Sequence, residues 1–168
     1  MLDALLLFIL PAFLAYAAVS DMLTMTISNR LCAAIALSFF AVALVAGLSW
    51  PAIGMHVLAS FAMLAVTFGM FAAGWMGGGD AKLAAATALW FGFGGLLNYV
   101  VVASIAGGVL TLVILAARGL PVPAVAERWP WYQRLHNAKS GIPYGIALAA
   151  GGLVAYPHTA IWGAIIGP

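Results

Sequence analysis

The sequence predicts an all-α integral membrane protein, a bundle of about six transmembrane helices with both termini on the extracytoplasmic side. Of its 168 residues, 66% are hydrophobic and 6% are charged, and the mean hydropathy is +1.15. A soluble domain has roughly 25% charged residues, so this chain cannot cover its surface with polar groups. Polar breaks divide the apolar sequence into spans, and the basic residues fall in alternate breaks. We expect residues 1–168 to form one transmembrane domain.

The spans follow from the length of each apolar segment, because about 20 apolar residues cross about 30 Å of hydrocarbon. The first contains Pro11, which membrane helices tolerate, and Trp50 ends the second at an interface, where tryptophan is enriched. The apolar run after Lys82 is too long for one helix, and the glycines at 92, 94 and 95 supply its turn. The predicted spans are residues 2–20, 31–49, 53–73, 81–93, 96–117 and 141–166.

The basic residues set the orientation. They lie only in the loops after the first, third and fifth spans, and that face is assigned to the cytoplasm. The polar segment 118–140 is then a cytoplasmic loop. Asp21 and Asp80 lie at the cytoplasmic boundary, whereas Asp3 lies on the far side. The basic residues are Arg30, Lys82, Arg118, Arg128, Arg134 and Lys139.

Composition also excludes several classes of function. The net charge of +2 comes from few residues and forms no basic stripe with aromatics, so no nucleic-acid partner is expected. A single cysteine, Cys32, excludes an intramolecular disulfide framework. The three histidines are scattered and no His-Glu-x-x-His motif occurs, so we expect no metal site and no cofactor.

Two aspartates on one side of a small bundle predict an aspartyl pair. Asp80 follows three glycines at the edge of an apolar span, where an acid is costly, and Asp21 lies on the same side. Two close carboxylates share a proton. The ionised one takes a proton from a water molecule, and the protonated one donates to the carbonyl oxygen of the peptide bond that breaks.

Two alternatives to this chemistry stay open. The acids could be interfacial residues that pair with Arg30 and Lys82. They could also pass protons or ions through a small transporter or an assembly subunit without enzymatic activity. Acids near the middle of the bilayer would favour the transporter.

Three segments resemble those of type IV prepilin leader peptidases, which are aspartic membrane proteases. Residues 77–83 match the pattern Gly-x-Gly-Asp-x-Lys-Leu, with Gly78 at the variable position. Asp21 followed by residues 27–29 resembles the earlier Asp…Ile-Pro-Asn segment of that family. Residues 142–145 resemble its Pro-Tyr/Phe-Gly stretch, which opens the last span. The nearest alternative is another Gly-x-Gly-Asp membrane protease, such as a preflagellin peptidase.

The resemblance implies that Asp21 and Asp80 are the catalytic pair, in a bacterial inner membrane, with no metal. The substrate would be a prepilin or pseudopilin, cut on the cytoplasmic side before a hydrophobic segment, and the oligomeric state stays open. The other matching positions would shape the site: Gly77, Gly79, Lys82, Asn29, Pro143 and Tyr144.

The chain departs from the family pattern in two places. Ser28 stands where the family has proline, which leaves that turn less rigid. Larger members carry an N-terminal insertion with paired Cys-x-x-Cys motifs and also methylate the new N-terminus, whereas this chain has one cysteine. We therefore expect cleavage without methylation, as in the short tight-adherence (Tad/Cpa, Flp-pilus) branch. The loop 118–140 would either guide the substrate or bind membrane lipid.

Overall fold

A computed structural model describes residues 2–123 and 125–166, and every regular element in them is helical. The side chains of residues 2–4, Asp3 among them, and of residue 127 lie outside the described part. Short 3₁₀ turns occur at Ala126–Arg128 and Tyr156–His158. The α-helices are α1 (Leu2–Thr24), α2 (Asn29–Val45), α3 (Trp50–Ala72), α4 (Gly78–Arg118), α5 (Pro130–His136), α6 (Tyr144–Ala155) and α7 (Ala160–Ile166).

Serine caps start two of the helices. The Ser28 hydroxyl accepts a hydrogen bond from the Leu31 N–H at 3.2 Å, and Ser49 accepts one from Ala52 at 3.4 Å. Each cap satisfies a backbone donor that has no partner within its helix. Ser28 therefore starts α2 by hydrogen bonding, at the position where the family pattern has proline.

Helix α4 is folded back on itself at Gly92. This residue has φ 56° and ψ −174°, which breaks the helix. The rings of Phe91 and Tyr99 stack with centroids 4.9 Å apart, whereas a straight helix would separate residues eight apart by about 12 Å. The chain therefore reverses direction, and the turn predicted around residues 92–95 is present.

The first half of α4, residues 78–91, is the centre of the bundle. From 81 to 91 only Lys82 is exposed. Helices α2, α3 and α6 pack around this half-helix and the half that follows it. Trp90 is fully buried and donates to the Ile35 carbonyl of α2 at 2.9 Å, and its ring meets that of Tyr156 edge to face. The position of Asp80 is consequently set by the most tightly enclosed element of the fold.

The outer surface carries large apolar side chains, as lipid contact requires. Phe8, Leu37, Phe61 and Leu97 are each more than 60% exposed. The chain is accordingly a multi-pass membrane protein. Helix α1 from Leu5 onwards, α3 and α4 are long and apolar enough to cross a membrane, and α6 with α7, bent by 49°, would form a fourth span.

This count of three or four spans falls below the six predicted. Two features account for the difference: the 41 residues counted as one span are two packed half-helices, and α2 has only 17 residues. The last predicted span, residues 141–166, is also interrupted by the 3₁₀ turn between α6 and α7.

The polar segment 118–140 is partly ordered by Arg118. Its guanidinium donates to the carbonyls of Leu135, Ser140 and Gly141 at 2.6, 2.9 and 3.2 Å. Helix α5 lies within this segment, and its Arg134 donates to the Leu23 carbonyl near the end of α1. The segment is thus held against the end of the bundle where α1 finishes.

Candidate functional site

A cavity of about 240 Å³ lies at the end of the bundle where α1 finishes and α4 begins. Asp21 and Asp80 both line it, close enough for their charges to interact. Its volume has room for several water molecules at about 30 Å³ each. The remaining lining residues are Met25, Thr26, Ile27, Gly77, Gly78 and Gly79. The two acids that the sequence singled out are therefore brought together.

Asp21 is held by two backbone features. Helix α1 ends at Thr24, and the next residue, Met25, has a left-handed φ of 55° and donates to the Asp21 carbonyl at 2.7 Å. The side chain is 5% exposed, and its Oδ2 accepts a hydrogen bond of 2.7 Å from the Gly145 N–H at the start of α6. The N-cap residue of α6, Pro143, offers no side-chain cap. The carboxylate of Asp21, which belongs to α1 and lies 124 residues from Gly145 in sequence, caps α6 instead.

Asp80 is held by the start of its own helix. Gly77 is the N-cap residue of α4, and the Asp80 carboxylate accepts a hydrogen bond from the Gly77 backbone. An acid three residues into a helix commonly reaches back in this way. Both carboxylates therefore lie at helix N-termini, where unpaired N–H groups and the helix dipole favour negative charge.

The glycines before Asp80 allow close approach of neighbouring groups. A Cβ atom on Gly77 would lie 2.9 Å from Asp80 Oδ2, and one on Gly79 would lie 3.3 Å from Ile27 Cβ and 3.5 Å from the Ile27 backbone nitrogen. A Cβ on Gly78 would instead meet the Phe71 ring at 3.3 Å, at the end of a side chain that can move. The Gly-x-Gly spacing thus leaves room for a carboxylate and for the opposite wall of the cavity.

The remaining predicted site residues lie around the cavity without lining it. Lys82 Nζ donates to Asn29 Oδ1 at 2.9 Å, an exposed link between α4 and α2. Within the described residues, no Lys or Arg side chain pairs with Asp21 or Asp80. Pro143 is buried, and the Tyr144 hydroxyl lies 3.3 Å from that of Thr111, facing a separate apolar groove.

His56 is buried in the helix bundle, away from the two acids, and packs beside the Gly92 turn. Its Nδ1 lies 2.8 Å from the Leu89 carbonyl, and its ring stacks on Phe39 and fills the space beside Gly92. In the described part of the chain, no three His, Cys, Asp or Glu side chains are grouped closely enough to hold a metal ion.

Comparison with known protein families gives one match. The type IV leader peptidase family matches residues 8–112, which is more than half of the chain. The chain belongs to the type IV leader peptidase family. Neither the curated proteins nor the solved structures gave a match. Membership indicates a membrane-embedded protease, and the matched range contains both Asp21 and Asp80.

The part of this family member that lies beyond the matched range also supplies a hydrogen bond to one of the two acids. Gly145, the N–H donor to Asp21, was not among the residues predicted to shape the site. A Cβ atom there would lie 2.8 Å from Asp21 Oδ2 and 2.9 Å from Ile27 Cδ1. The Pro-Tyr-Gly motif at 143–145 was the available signal, and its glycine contacts the acid whereas Tyr144 does not line the cavity.

Proposed function

We propose that the chain is a membrane aspartic endopeptidase that removes the leader peptide from prepilins or pseudopilins at the cytoplasmic membrane face. Asp21 and Asp80 are the catalytic pair. The observation that carries the proposal is their convergence on one cavity, large enough to hold water, at one end of the bundle. Belonging to a leader peptidase family supports the same chemistry.

The reaction needs one ionised and one protonated carboxylate, a state that two acids sharing a cavity favour. The ionised carboxylate removes a proton from water held in the cavity, and the resulting hydroxide attacks the carbonyl carbon. The other carboxylic acid gives its proton to the carbonyl oxygen. Collapse of the tetrahedral intermediate breaks the C–N bond, and the amine leaves with a proton returned by the acid pair.

The proposal includes six membrane crossings, counting the two halves of α4 separately and α6 with α7 as one. With both termini outside, the acid cavity faces the bacterial cytoplasm, in the inner membrane. Cleavage proceeds without methylation of the new N-terminus, because the 168 residues contain one cysteine and no paired Cys-x-x-Cys motif. These features fit the short tight-adherence branch, whose pilins are of the Flp type.

The non-enzymatic alternatives have less support. Asp21 is followed by only three residues of α1, and Asp80 is in the first turn of α4, so neither is near the middle of a helix as a midplane ion site requires. Lys82 bonds to Asn29 instead of neutralising an acid. A preflagellin-type protease remains the competing enzyme and differs in its substrate.

The test is co-expression with a Flp-type prepilin, followed by mass spectrometry of the pilin. Asp21→Asn and Asp80→Asn are the variants to compare with the parent. Asparagine keeps an oxygen that can accept from Gly145 or Gly77, so the helix ends stay capped while the acid is lost. We expect the parent to remove the leader and both variants to retain it, with an unmethylated new N-terminus. Cleavage by either well-inserted variant would refute the paired-aspartate mechanism.

A further inference from the structure

A second, larger cavity is an apolar groove of about 1020 Å³ between α3 and the second half of α4. Met63 and Met70 of α3 form one wall, and residues of α4 from Phe93 to Leu112 form the other. Buried residues of α6, Ala147 and Leu148, also line it. No element of the described chain fills this groove.

The groove has the length of a membrane-spanning helix. From Phe93 to Leu112 the α4 wall rises about 28 Å at 1.5 Å per residue, against about 30 Å of hydrocarbon. An occupant with unpaired backbone groups would be costly at this depth, because lipid offers no hydrogen bonds. The groove therefore suits an apolar helix better than an extended peptide.

The α4 wall is built from small residues at helical spacing. Ala103, Gly107 and Thr111 follow one another at intervals of four, as do Ser104 and Gly108. A Cβ atom added to Gly108 would meet nothing within 4 Å. Ala103 and Gly107 are buried against α6, where a Cβ atom on Gly107 would meet Tyr144 and Ala147, whereas Ser104 and Gly108 are exposed. Small residues four apart allow the backbone of a second helix to approach closely in lipid, and the stripe of Ser104 and Gly108 is the one open to such a helix.

One end of the groove adjoins the acid cavity. Trp75 and Met76 line the groove, and the next residue, Gly77, lines the cavity with Asp80. The groove residue Thr67 is 3.3 Å from the carbonyl of Ala81, the residue after Asp80. A helix seated in the groove would thus have the backbone at its end close to the two carboxylates.

We infer that this groove seats the apolar transmembrane helix of the substrate, so that the peptide bond at the end of that helix enters the acid cavity. The inference rests on the proposed function and adds to it a binding surface and a reason for the position of the cut. Three properties of the groove favour this occupant over a lipid chain or a second copy of the protein: its length, its small-residue wall and its continuity with the acids.

The first experiment narrows the groove and measures cleavage of a leader-bearing pilin precursor in detergent or vesicles. Gly108→Leu places a side chain in the groove at a position where the added Cβ atom meets nothing within 4 Å. Gly69→Leu is the matched control, since Gly69 is also an exposed glycine within an apolar helix, an added Cβ atom there meets nothing within 4 Å, and the residue does not line the groove. We expect Gly108→Leu to raise KM about tenfold with little change in kcat, and Gly69→Leu to resemble the parent.

The second experiment identifies the occupant by photo-crosslinking, independently of catalysis. A benzophenone amino acid replaces Gly108 in an Asp21→Asn background, and replaces Gly69 in the control. A crosslink to the precursor from position 108, and none from 69, supports the inference.

Each contrary result has a distinct meaning. An unchanged KM for Gly108→Leu, or crosslinks from position 108 only to lipid or to a second copy, would overturn the assignment of the groove to the substrate helix. The proposal that Asp21 and Asp80 are the catalytic pair would be unaffected. If the parent cleaves no precursor and none is crosslinked, the proposed function fails and the groove assignment fails with it.

Discussion

Replacement of Gly145 by alanine tests whether the N-terminus of α6 positions Asp21. The added Cβ atom would lie 2.8 Å from Asp21 Oδ2 and 2.9 Å from both Asp21 Cβ and Ile27 Cδ1. An ordinary contact begins near 3.4 Å, so the carboxylate has to move by at least about half an ångström or lose the 2.7 Å hydrogen bond from the residue 145 N–H. Both responses displace an oxygen of the proposed catalytic pair.

The effects on stability and on activity are expected to differ in size. Crowding a packed site costs about 1–3 kcal/mol, but alanine is favoured over glycine within a helix by up to about 1 kcal/mol, so the net loss of stability is modest. Misplacing a reacting group by about 1 Å can lower the rate about 100-fold. We therefore expect Gly145→Ala to insert and fold, and to lose cleavage activity by one to two orders of magnitude.

The assay is initial-rate cleavage of a prepilin in purified membranes, with detergent melting to follow folding. Gly141→Ala is the control, because its Cβ atom would meet only Met25 Cε at an ordinary 3.6 Å. Adding Ile27→Val to Gly145→Ala removes the Cδ1 contact but not the Asp21 contact, so it should restore stability without restoring cleavage. A Gly145→Ala protein that cleaves within about threefold of the parent would refute the positioning role, because a half-ångström shift would then be harmless.

Three further predictions concern the other close contacts. Gly77→Ala should lower cleavage about tenfold or more with little loss of stability, because its Cβ would lie 2.9 Å from Asp80 Oδ2 while its φ of −70° suits alanine; initial rates measure this. Gly92→Ala should lower the melting temperature in detergent, since its φ of 56° and the His56 ring at 3.0 Å oppose a side chain, at a cost of about 1–3 kcal/mol. Arg118→Gln should make the segment 118–140 more sensitive to limited proteolysis, because three carbonyls lose a charged donor.

Each of these changes has a neighbour that serves as its control. Gly78→Ala should retain more activity than Gly77→Ala, because the Phe71 ring can shift, and equal loss in both would contradict the carboxylate contact. A Cβ atom on Gly94 would meet nothing within 4 Å, so Gly94→Ala should have a melting temperature close to that of the parent. A decrease in melting temperature as large as that of Gly92→Ala would argue against a strained turn. Lys139→Gln removes an exposed charge from the same segment. If limited proteolysis increases as much in Lys139→Gln as in Arg118→Gln, then Arg118 does not hold the segment in place.

The sequence predicted those parts of the fold that depend on local pattern. The helical class follows from composition, the reversal at Gly92 from a cluster of glycines in an overlong apolar run, and the meeting of Asp21 and Asp80 from the alternation of basic loops. The helix α5 within 118–140 and the break after α6 were missed. A short helix in a polar segment and a turn at Tyr156–His158 leave weak local signals.

Contacts between residues distant in the chain could not be derived from pattern. The hydrogen bond from Gly145 to Asp21 joins residues 124 positions apart, and the link from Lys82 to Asn29 joins residues 53 apart. Local periodicity does not report which helix end lies beside which. The apolar groove was missed for the same reason, since the open face of its small residues appears only when α3 and the returning half of α4 are placed side by side.

The position of the acid pair depends on three helices, because Asp21 of α1 is capped by α6 and Asp80 lies at the start of α4. A carboxylate withdrawn from water needs replacement donors, and here each acid obtains a backbone N–H at a helix start, Asp80 from its own helix and Asp21 from α6. The matched family range ends at residue 112, yet the donor to Asp21 is Gly145, and the chain between them includes the segment held by Arg118. Loosening that segment should therefore disturb Asp21 more than Asp80, because only Asp21 depends on α6 for its partner.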